Sequence, residues 1–216
     1  MDLAQRFLSN DDRNRIDDHI AEAEKKTTGE IVVMVVSSSY HYPLAQVVGG
    51  TFFAVPLALL LLSYVGELIW VADDNVWIFI GLFVILFAIF SNITNRVYKL
   101  KRFFISSAEL KTEVKEAAVK EFFSQGLHRT RGETGILIFI SVFERRVWIL
   151  ADRGIDEKLP PDTWQGVVEL IVGGIKEMRQ ADTICQAVDR VGQILQTHFP
   201  ASSDNPDELK GVIIGD

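Results

Sequence analysis

The chain has 216 residues, of which 48% are hydrophobic, and a formal net charge of −7. This acidic balance, together with the absence of a long basic arm in the sequence, argues against a nucleic-acid-binding protein. Its single cysteine, Cys185, cannot form an internal disulfide and falls on the apolar stripe of a predicted helix, which favours a buried core position.

The first elements along the chain are a helix and a strand. Ser9, with Asp12 three residues later, resembles a capping box. Apolar residues then recur at helical spacing: Ile16, Ile20 and Ala23. This pattern predicts a helix over about residues 10–26. The β-branched run Ile31–Val36 that follows is typical of a central strand buried on both faces.

Two uncharged apolar runs come next, Val47–Val65 and Val76–Phe90, and the second stays uncharged as far as Asn95. Each is long enough to cross a bilayer, which needs about 20 helical residues. We therefore predict a transmembrane hairpin at 43–96, with helices at about 45–71 and 76–95. The alternative is a hairpin buried in a core, which two runs of this length in so small a chain disfavour. The polar start of the chain has no signal-peptide core, so we expect the hairpin itself to direct insertion.

The charges that flank the hairpin predict its orientation. Basic residues follow the second apolar run: Arg96, Lys99, Lys101 and Arg102. The tip at 66–75 has only acidic charges, which are Glu67, Asp73 and Asp74. By the positive-inside rule, we expect a multi-pass protein of a bacterial inner membrane, with both termini and the soluble domain cytoplasmic and the tip outside.

Small residues mark one face of the first apolar run, namely Gly49, Gly50, Ala54 and Ala58. Such residues let two helices approach closely. The favoured interpretation is packing within the hairpin, and packing against another protein is the alternative.

After the hairpin, an apolar stripe predicts a helix over 106–126, ended by Gly126. Apolar segments at 136–142 and 147–150 predict a β-hairpin whose charged turn contains Glu144 and Arg145. Two more amphipathic helices should follow, one from about Asp162 and one ending near Phe199. We expect 1–42 and 97–200 to form one discontinuous soluble domain, and 201–216 to be a flexible, solvated tail.

Three segments of the soluble part resemble the TPM-domain family, which is named after thylakoid-lumen, photosystem and receptor-modulator proteins. They are residues 16–31, residues 134–141, and residues 146–155 with the motif Ala-Asp-Arg-Gly-Ile. The resemblance implies a three-layer α/β/α sandwich with a small mixed sheet, in agreement with the pattern of elements. It also implies either a calcium-binding acid phosphatase or an accessory factor of a membrane complex. This chain differs from most members in having the hairpin inserted within the domain.

Four carboxylates near the predicted strand ends are candidate metal ligands: Glu30, Glu133, Asp152 and Asp156. Hard divalent cations such as calcium take several oxygen ligands from adjoining loops. Asp152 is the strongest candidate, because it directly follows a strand that we predict to be central, where α/β folds bind ligands. The alternative is that Asp152 caps the next turn or pairs with Arg153. Glu30, Glu133 and Asp156 are weaker candidates, and solvated charges are the favoured interpretation of each, because their spacing follows no linear calcium loop.

The sequence predicts a partner-binding accessory protein of the lipid bilayer, with another membrane protein or a second copy as its partner. The alternative is a cation-dependent phosphomonoester hydrolase that uses Asp152 with Arg153, Arg129 and His128. These residues match no known phosphatase motif, so a non-enzymatic role is favoured.

Overall fold

A computed structural model describes residues 3–68, 76–130, 132–160, 162–201 and 211–215. The chain divides into two compact units. One contains residues 1–40 and 111–216, and the other contains residues 41–110. The first unit carries the sheet and the second carries the two apolar helices.

The first unit is built on a four-stranded mixed sheet. Its strands are β1 (Glu30–Val36), β2 (Gly135–Ser141), β3 (Arg146–Ala151) and β4 (Val212–Gly215), in the order β3-β2-β1-β4. Strand β1 is parallel to β2 and β4, whereas β3 is antiparallel to β2. Every residue of β1 and β2 is buried, which explains why both strands are almost continuously apolar.

Helices cover both faces of this sheet. The helices of the unit are α1 (Leu3–Phe7), α2 (Asn10–Glu24), α6 (Ser107–Ser124) from residue 111 onward, α7 (Arg153–Asp156), α8 (Gln165–Lys176) and α9 (Gln180–His198), with a 3-10 turn at Leu127–Arg129. Alternate residues of β1 point to opposite sides. Ile31 and Val33 join a core with α2, α8 and α9, whereas Val32 and Met34 pack against α6. The predicted α/β/α sandwich is therefore confirmed.

The helix ends follow the predicted capping chemistry. The Ser9 side chain accepts a hydrogen bond from the Asp12 N–H, and the Asp12 carboxylate accepts one from the Ser9 N–H, so the capping box is present. Gly126 follows α6 with a φ of 79°, a left-handed conformation that glycine adopts at low cost.

The C-terminal segment corrects one prediction. Residues 212–215 form β4, whose partners on β1 are Val33–Val36, so the predicted flexible tail does not extend through these four residues. Strand β4 also gives β1 its second neighbour. Without it, β1 would be an edge strand, although the buried pattern of β1 correctly predicts a central one.

The second unit contains α3 (Pro43–Leu68), α4 (Val76–Arg96) and the short α5 (Tyr98–Phe103). Two helical segments, Pro43–Tyr64 and Val76–Arg96, are long and apolar enough to cross a membrane. Many of their large apolar side chains are exposed, including Leu60 at 75% and Trp77 at 77%. The acidic tip, with Glu67, Asp73 and Asp74, lies outside the residues whose side chains the structure describes.

The small residues of α3 pack against α4, as the favoured interpretation predicts. A Cβ atom on Gly49 would lie 2.6 Å from Cγ2 of Thr94, and one on Gly50 would lie 3.0 Å from Cβ of Ser91. Nearby, the Gln46 amide donates a hydrogen bond of 3.0 Å to the Ser91 hydroxyl. Close approach of the two backbones thus depends on glycine at both positions.

Candidate functional site

The acidic candidates lie at the end of the sheet where β1 and β2 begin. Glu30 is paired in register with Gly135, the first residue of β2. The N–H of Asp152 donates a hydrogen bond of 2.8 Å to the Gly135 carbonyl. Asp152 therefore follows an antiparallel edge strand, and the prediction that it follows a central strand is wrong. Asp152 lies at the amino ends of the parallel strands. The α/β folds usually bind ligands at the other end of the sheet, where the parallel strands have their carboxyl ends.

Asp152 is the N-cap of α7, which confirms one of the two roles considered as alternatives to metal binding. Its Oδ1 accepts a hydrogen bond of 2.8 Å from the Arg153 N–H. Its Oδ2 is buried and has no hydrogen-bond partner among the described residues. A buried carboxylate oxygen without a partner is costly, so this atom is the strongest indication of a ligand at this end of the sheet.

Asp156, one helical turn later, is electrostatically coupled to Asp152. Partial burial raises the pKa of the Asp156 carboxyl, and the negative charge of Asp152 raises this pKa further. Two carboxylates that repel each other in a partly desolvated place favour either a bound proton or a bound cation. The structure thus brings together two of the four predicted ligands.

The loop before β2 packs closely against the backbone of α7 at Gly154. A Cβ on Gly154 would lie 2.7 Å from the Glu133 carbonyl oxygen and would also overlap that of Gly132. Gly132 and Glu133 have φ values of 79° and 54°, so this loop runs through left-handed backbone beside α7. Only glycine at position 154 permits so close an approach.

The other two predicted ligands are placed differently. The Glu133 side chain is exposed. The hydrogen bond and charge of Glu157 are the main causes that raise the pKa of Arg153, and the charge of Glu133 adds to them. Glu30 is 3% exposed within β1, so it is not the solvated charge that its position in a loop-flanked strand start would suggest. Among the described residues, no group of three or more acidic, histidine or cysteine side chains is arranged to hold a metal ion.

These donors fit a hard divalent cation. Two carboxylates and nearby backbone carbonyls are oxygen ligands of the kind that Ca²⁺ takes, with water completing its six to eight ligands. The softer nitrogen and sulfur ligands typical of structural zinc are not part of this set. The donor chemistry of Asp152 and Asp156 is thus that of oxygen ligands, which suits a hard cation better than zinc.

The residues proposed for phosphoester chemistry have other contacts. The Arg153 Nε donates a hydrogen bond of 2.7 Å to Glu157 Oε1, so Arg153 does not pair with the Asp152 side chain. The His128 ring lies against Phe123, with ring centroids 5.0 Å apart. Arg129 is exposed at the end of the 3-10 turn.

A second polar group, at the opposite end of the sheet, is missed by the sequence interpretation. Glu144, which we placed in a charged turn, is fully buried. It accepts hydrogen bonds from the Ser39 N–H at 2.9 Å and from the hydroxyls of Ser38 and Ser141. The serine run after β1 and the serine that ends β2 are the signals for this network. It ties the carboxyl ends of the two parallel strands together.

Comparison with known proteins finds a family similarity over part of the chain. The family model of the TPM domain matches residues 101–194, which include α6, β2, β3, α8 and most of α9. The NMR structure of the BA42 protein from the psychrophilic bacterium Bizionia argentinensis is similar in fold, with a TM-score of 0.60 and 19% sequence identity. The similarity covers 98% of this chain and 97% of BA42. No curated protein matches the chain. Residues 101–194 of this chain therefore match the TPM domain, and the fold of the chain resembles that of BA42.

Proposed function

We propose that this chain is a membrane-anchored TPM domain that binds a divalent cation at Asp152 and Asp156 and acts as an accessory, partner-binding protein. The observation that supports the site is the buried Oδ2 of Asp152, which has no partner among the described residues. A cation bound there would compensate the desolvated oxygen and the repulsion from Asp156. Calcium is the first candidate, because every donor is an oxygen.

The raised pKa of Asp156 gives the proposal a pH dependence. Cation and proton compete for the same carboxylates, so binding should be strong where both are ionised. As pH falls through the raised pKa of Asp156, the group takes up a proton and the cation is lost. Stabilisation by the cation should therefore be present at neutral pH and disappear in acid.

The test is thermal unfolding of the full chain in lipid nanodiscs during titration with CaCl₂. At a calcium concentration of one hundred times Kd, the gain is about 2.7 kcal/mol. For a chain of this length that gain corresponds to a rise in Tm of roughly 5–10 °C. Asp152→Asn should abolish the rise, whereas the control Asp18→Asn, an exposed carboxylate on α2, should retain it. An equal rise in both variants, or none in the native chain, would overturn the cation site.

Anchoring is supported by the apolar surface of the second unit. The exposed side chains on α3 and α4 need a nonpolar surrounding, and a bilayer provides it. The basic residues that follow α4, together with the acidic residues of the 66–75 segment, favour a cytoplasmic position for the TPM domain. We propose the inner membrane of a bacterium as the location.

The accessory role is tested separately from the cation. Gentle purification of the native-level protein should recover a stoichiometric membrane-protein partner or a second copy of the chain, identified by mass spectrometry. A single-chain particle free of partners would contradict this part of the proposal.

A phosphatase is the competing function, and the matching family model carries that word in its short name. In this chain, the Arg153 guanidinium is bonded to Glu157 rather than turned toward the carboxylate pair. If the nanodisc protein hydrolysed a simple phosphomonoester only with a divalent cation, and Asp152→Asn removed that activity, the non-enzymatic role would be wrong.

A further inference from the structure

A cavity of about 440 Å³ lies at the other end of the sheet from Asp152. It is within the size range of small-molecule sites. The β2-β3 hairpin, α1 and α8 form its apolar wall, through Phe7, Ile140, Val142, Val147, Val172 and Ile175. Ser141, which also lines it, is paired with Arg146, whereas Ile136 near the cation site is paired with Ala151. Five residues of strand therefore separate the two places, roughly 17 Å.

Each charged side chain among the described residues that line this cavity is positive. They are Arg145, Arg146 and Lys176. The chain as a whole carries a net charge of −7. Three positive side chains around one cavity therefore give it a local charge of the opposite sign. Arg145 and Lys176 are exposed and form no ion pair with another described residue. The cavity thus combines an apolar interior with a positive rim.

Arg145 has a backbone conformation that costs free energy for a residue with a side chain. Its φ is 52°, in the left-handed region that a turn normally fills with Gly or Asn. Arginine gains nothing from this conformation, and the strain is of the kind found at ligand-binding positions. Lys176 has a simpler explanation, since it lies in the last turn of α8, where a cation is favoured by the helix dipole.

We propose that this cavity binds a single-chain amphipathic anion, of which a medium-chain carboxylate is the simplest example. The alkyl chain would lie against the apolar wall, and the head group would be held at Arg145 with Arg146 and Lys176 nearby. Guanidinium groups bind carboxylates through paired, charge-assisted hydrogen bonds. Such a ligand matches both the interior and the rim, whereas a small inorganic anion would leave the apolar wall unused.

The test is isothermal titration of the full chain in nanodiscs of zwitterionic lipid, with empty nanodiscs as the blank. The ligands are hexanoate, octanoate and decanoate, with octylammonium as the cationic counterpart and acetate as the anion without a chain. Each added methylene should tighten binding about fourfold. Octylammonium and acetate should not bind measurably. Equal binding of octanoate and octylammonium, or of acetate and decanoate, would overturn the proposal.

Arg145→Gly separates binding from folding. Glycine suits a φ of 52°, so this variant should keep or raise Tm while octanoate binding weakens at least tenfold. The matched control is Lys111→Gln, an exposed cation on α6 outside the cavity, which should bind octanoate like the native chain. Unchanged octanoate binding in a folded Arg145→Gly protein would show that the positive rim does not hold the ligand.

Discussion

At the scale of single residues, Asp17 links helix α2 to the last strand, β4. Its Oδ1 accepts a hydrogen bond of 2.8 Å from the N–H of Val212, the first residue of β4. Partial burial raises the pKa of Asp17, and the bond from Val212 opposes this effect without cancelling it. A side chain of α2 thus holds in place a strand that lies nearly two hundred residues away in the sequence.

We expect Asp17→Ala to loosen β4. Loss of one hydrogen bond costs about 1 kcal/mol, so backbone amides of 212–215 should exchange with solvent deuterium about fivefold faster by mass spectrometry. Asp17→Asn keeps an acceptor oxygen and should exchange at close to the native rate. Equal exchange in the Ala variant and the native chain would show that pairing with β1 alone holds β4.

The pH dependence of Asp17 follows from the direction of its shift. Because its pKa is raised in the folded protein, the folded state binds a proton more readily than the unfolded state does. Its proton-linked stabilisation is therefore fully present below the ordinary pKa of aspartate and is lost as pH rises through the raised value. The Asn variant, which cannot titrate, should lack this component when unfolding is measured across the acid range.

Single residues also show how far sequence reasoning reaches into the candidate site. The order of residues suffices to select Asp152, because a carboxylate after a strand and before Gly154 is a local pattern. Its unpartnered Oδ2 and the burial of Glu144 are not local. They depend on which loops pack over these side chains, and for Glu144 those neighbours are Ser38 and Ser39, more than a hundred positions away.

At the scale of elements, two adjacent glycines in α8 have different surroundings. A Cβ on Gly174 would lie 2.5 Å from Cβ of Thr183 in α9, and it would also overlap the Thr183 hydroxyl. At Gly173, no heavy atom of the described residues would lie within 4 Å of a Cβ. Helices α8 and α9 therefore approach closely at one of the two positions alone.

We expect Gly174→Ala to destabilise the fold by about 1–3 kcal/mol, because the added methyl group must push the two helices apart. Gly173→Ala is the matched control and should stabilise by roughly 0.5–1 kcal/mol, since alanine is the better helix former. Thermal unfolding of both variants in nanodiscs measures the difference. If the two substitutions had the same effect, close packing at Gly174 would not contribute to stability.

Element prediction succeeded where a long periodic pattern existed and failed where it did not. The sequence predicts β1, β2 and the long helices correctly, because each has an apolar pattern that extends over seven or more residues. Strand β4 has four residues and stands next to a polar segment, so its pattern is too short to distinguish a strand from a solvated end. Its partner β1 lies far away in the sequence, so pairing in the folded protein determines that residues 212–215 form a strand.

At the scale of the whole molecule, two apolar helices are inserted within an α/β unit. The connection from β1 to α6 contains both helices, so the chain leaves the sheet-bearing unit and returns to it. In the proposed membrane-anchored form, two spans would bring the chain back to the side from which it started. Both parts of the discontinuous unit would then share one side of the membrane, as their pairing in one sheet requires.

The side itself is the last prediction, and cysteine labelling measures it. Cys185 is 3% exposed, and burial raises the pKa of its thiol, so it should not react with a membrane-impermeant maleimide. In a Cys185→Ser background, Asp74→Cys at the tip should react in intact spheroplasts. Lys120→Cys, exposed on α6, should react only after the membrane is opened. The four basic residues at 96–102, against none at 66–75, are the physical reason for this orientation. The reverse labelling pattern would place the TPM domain outside the cell.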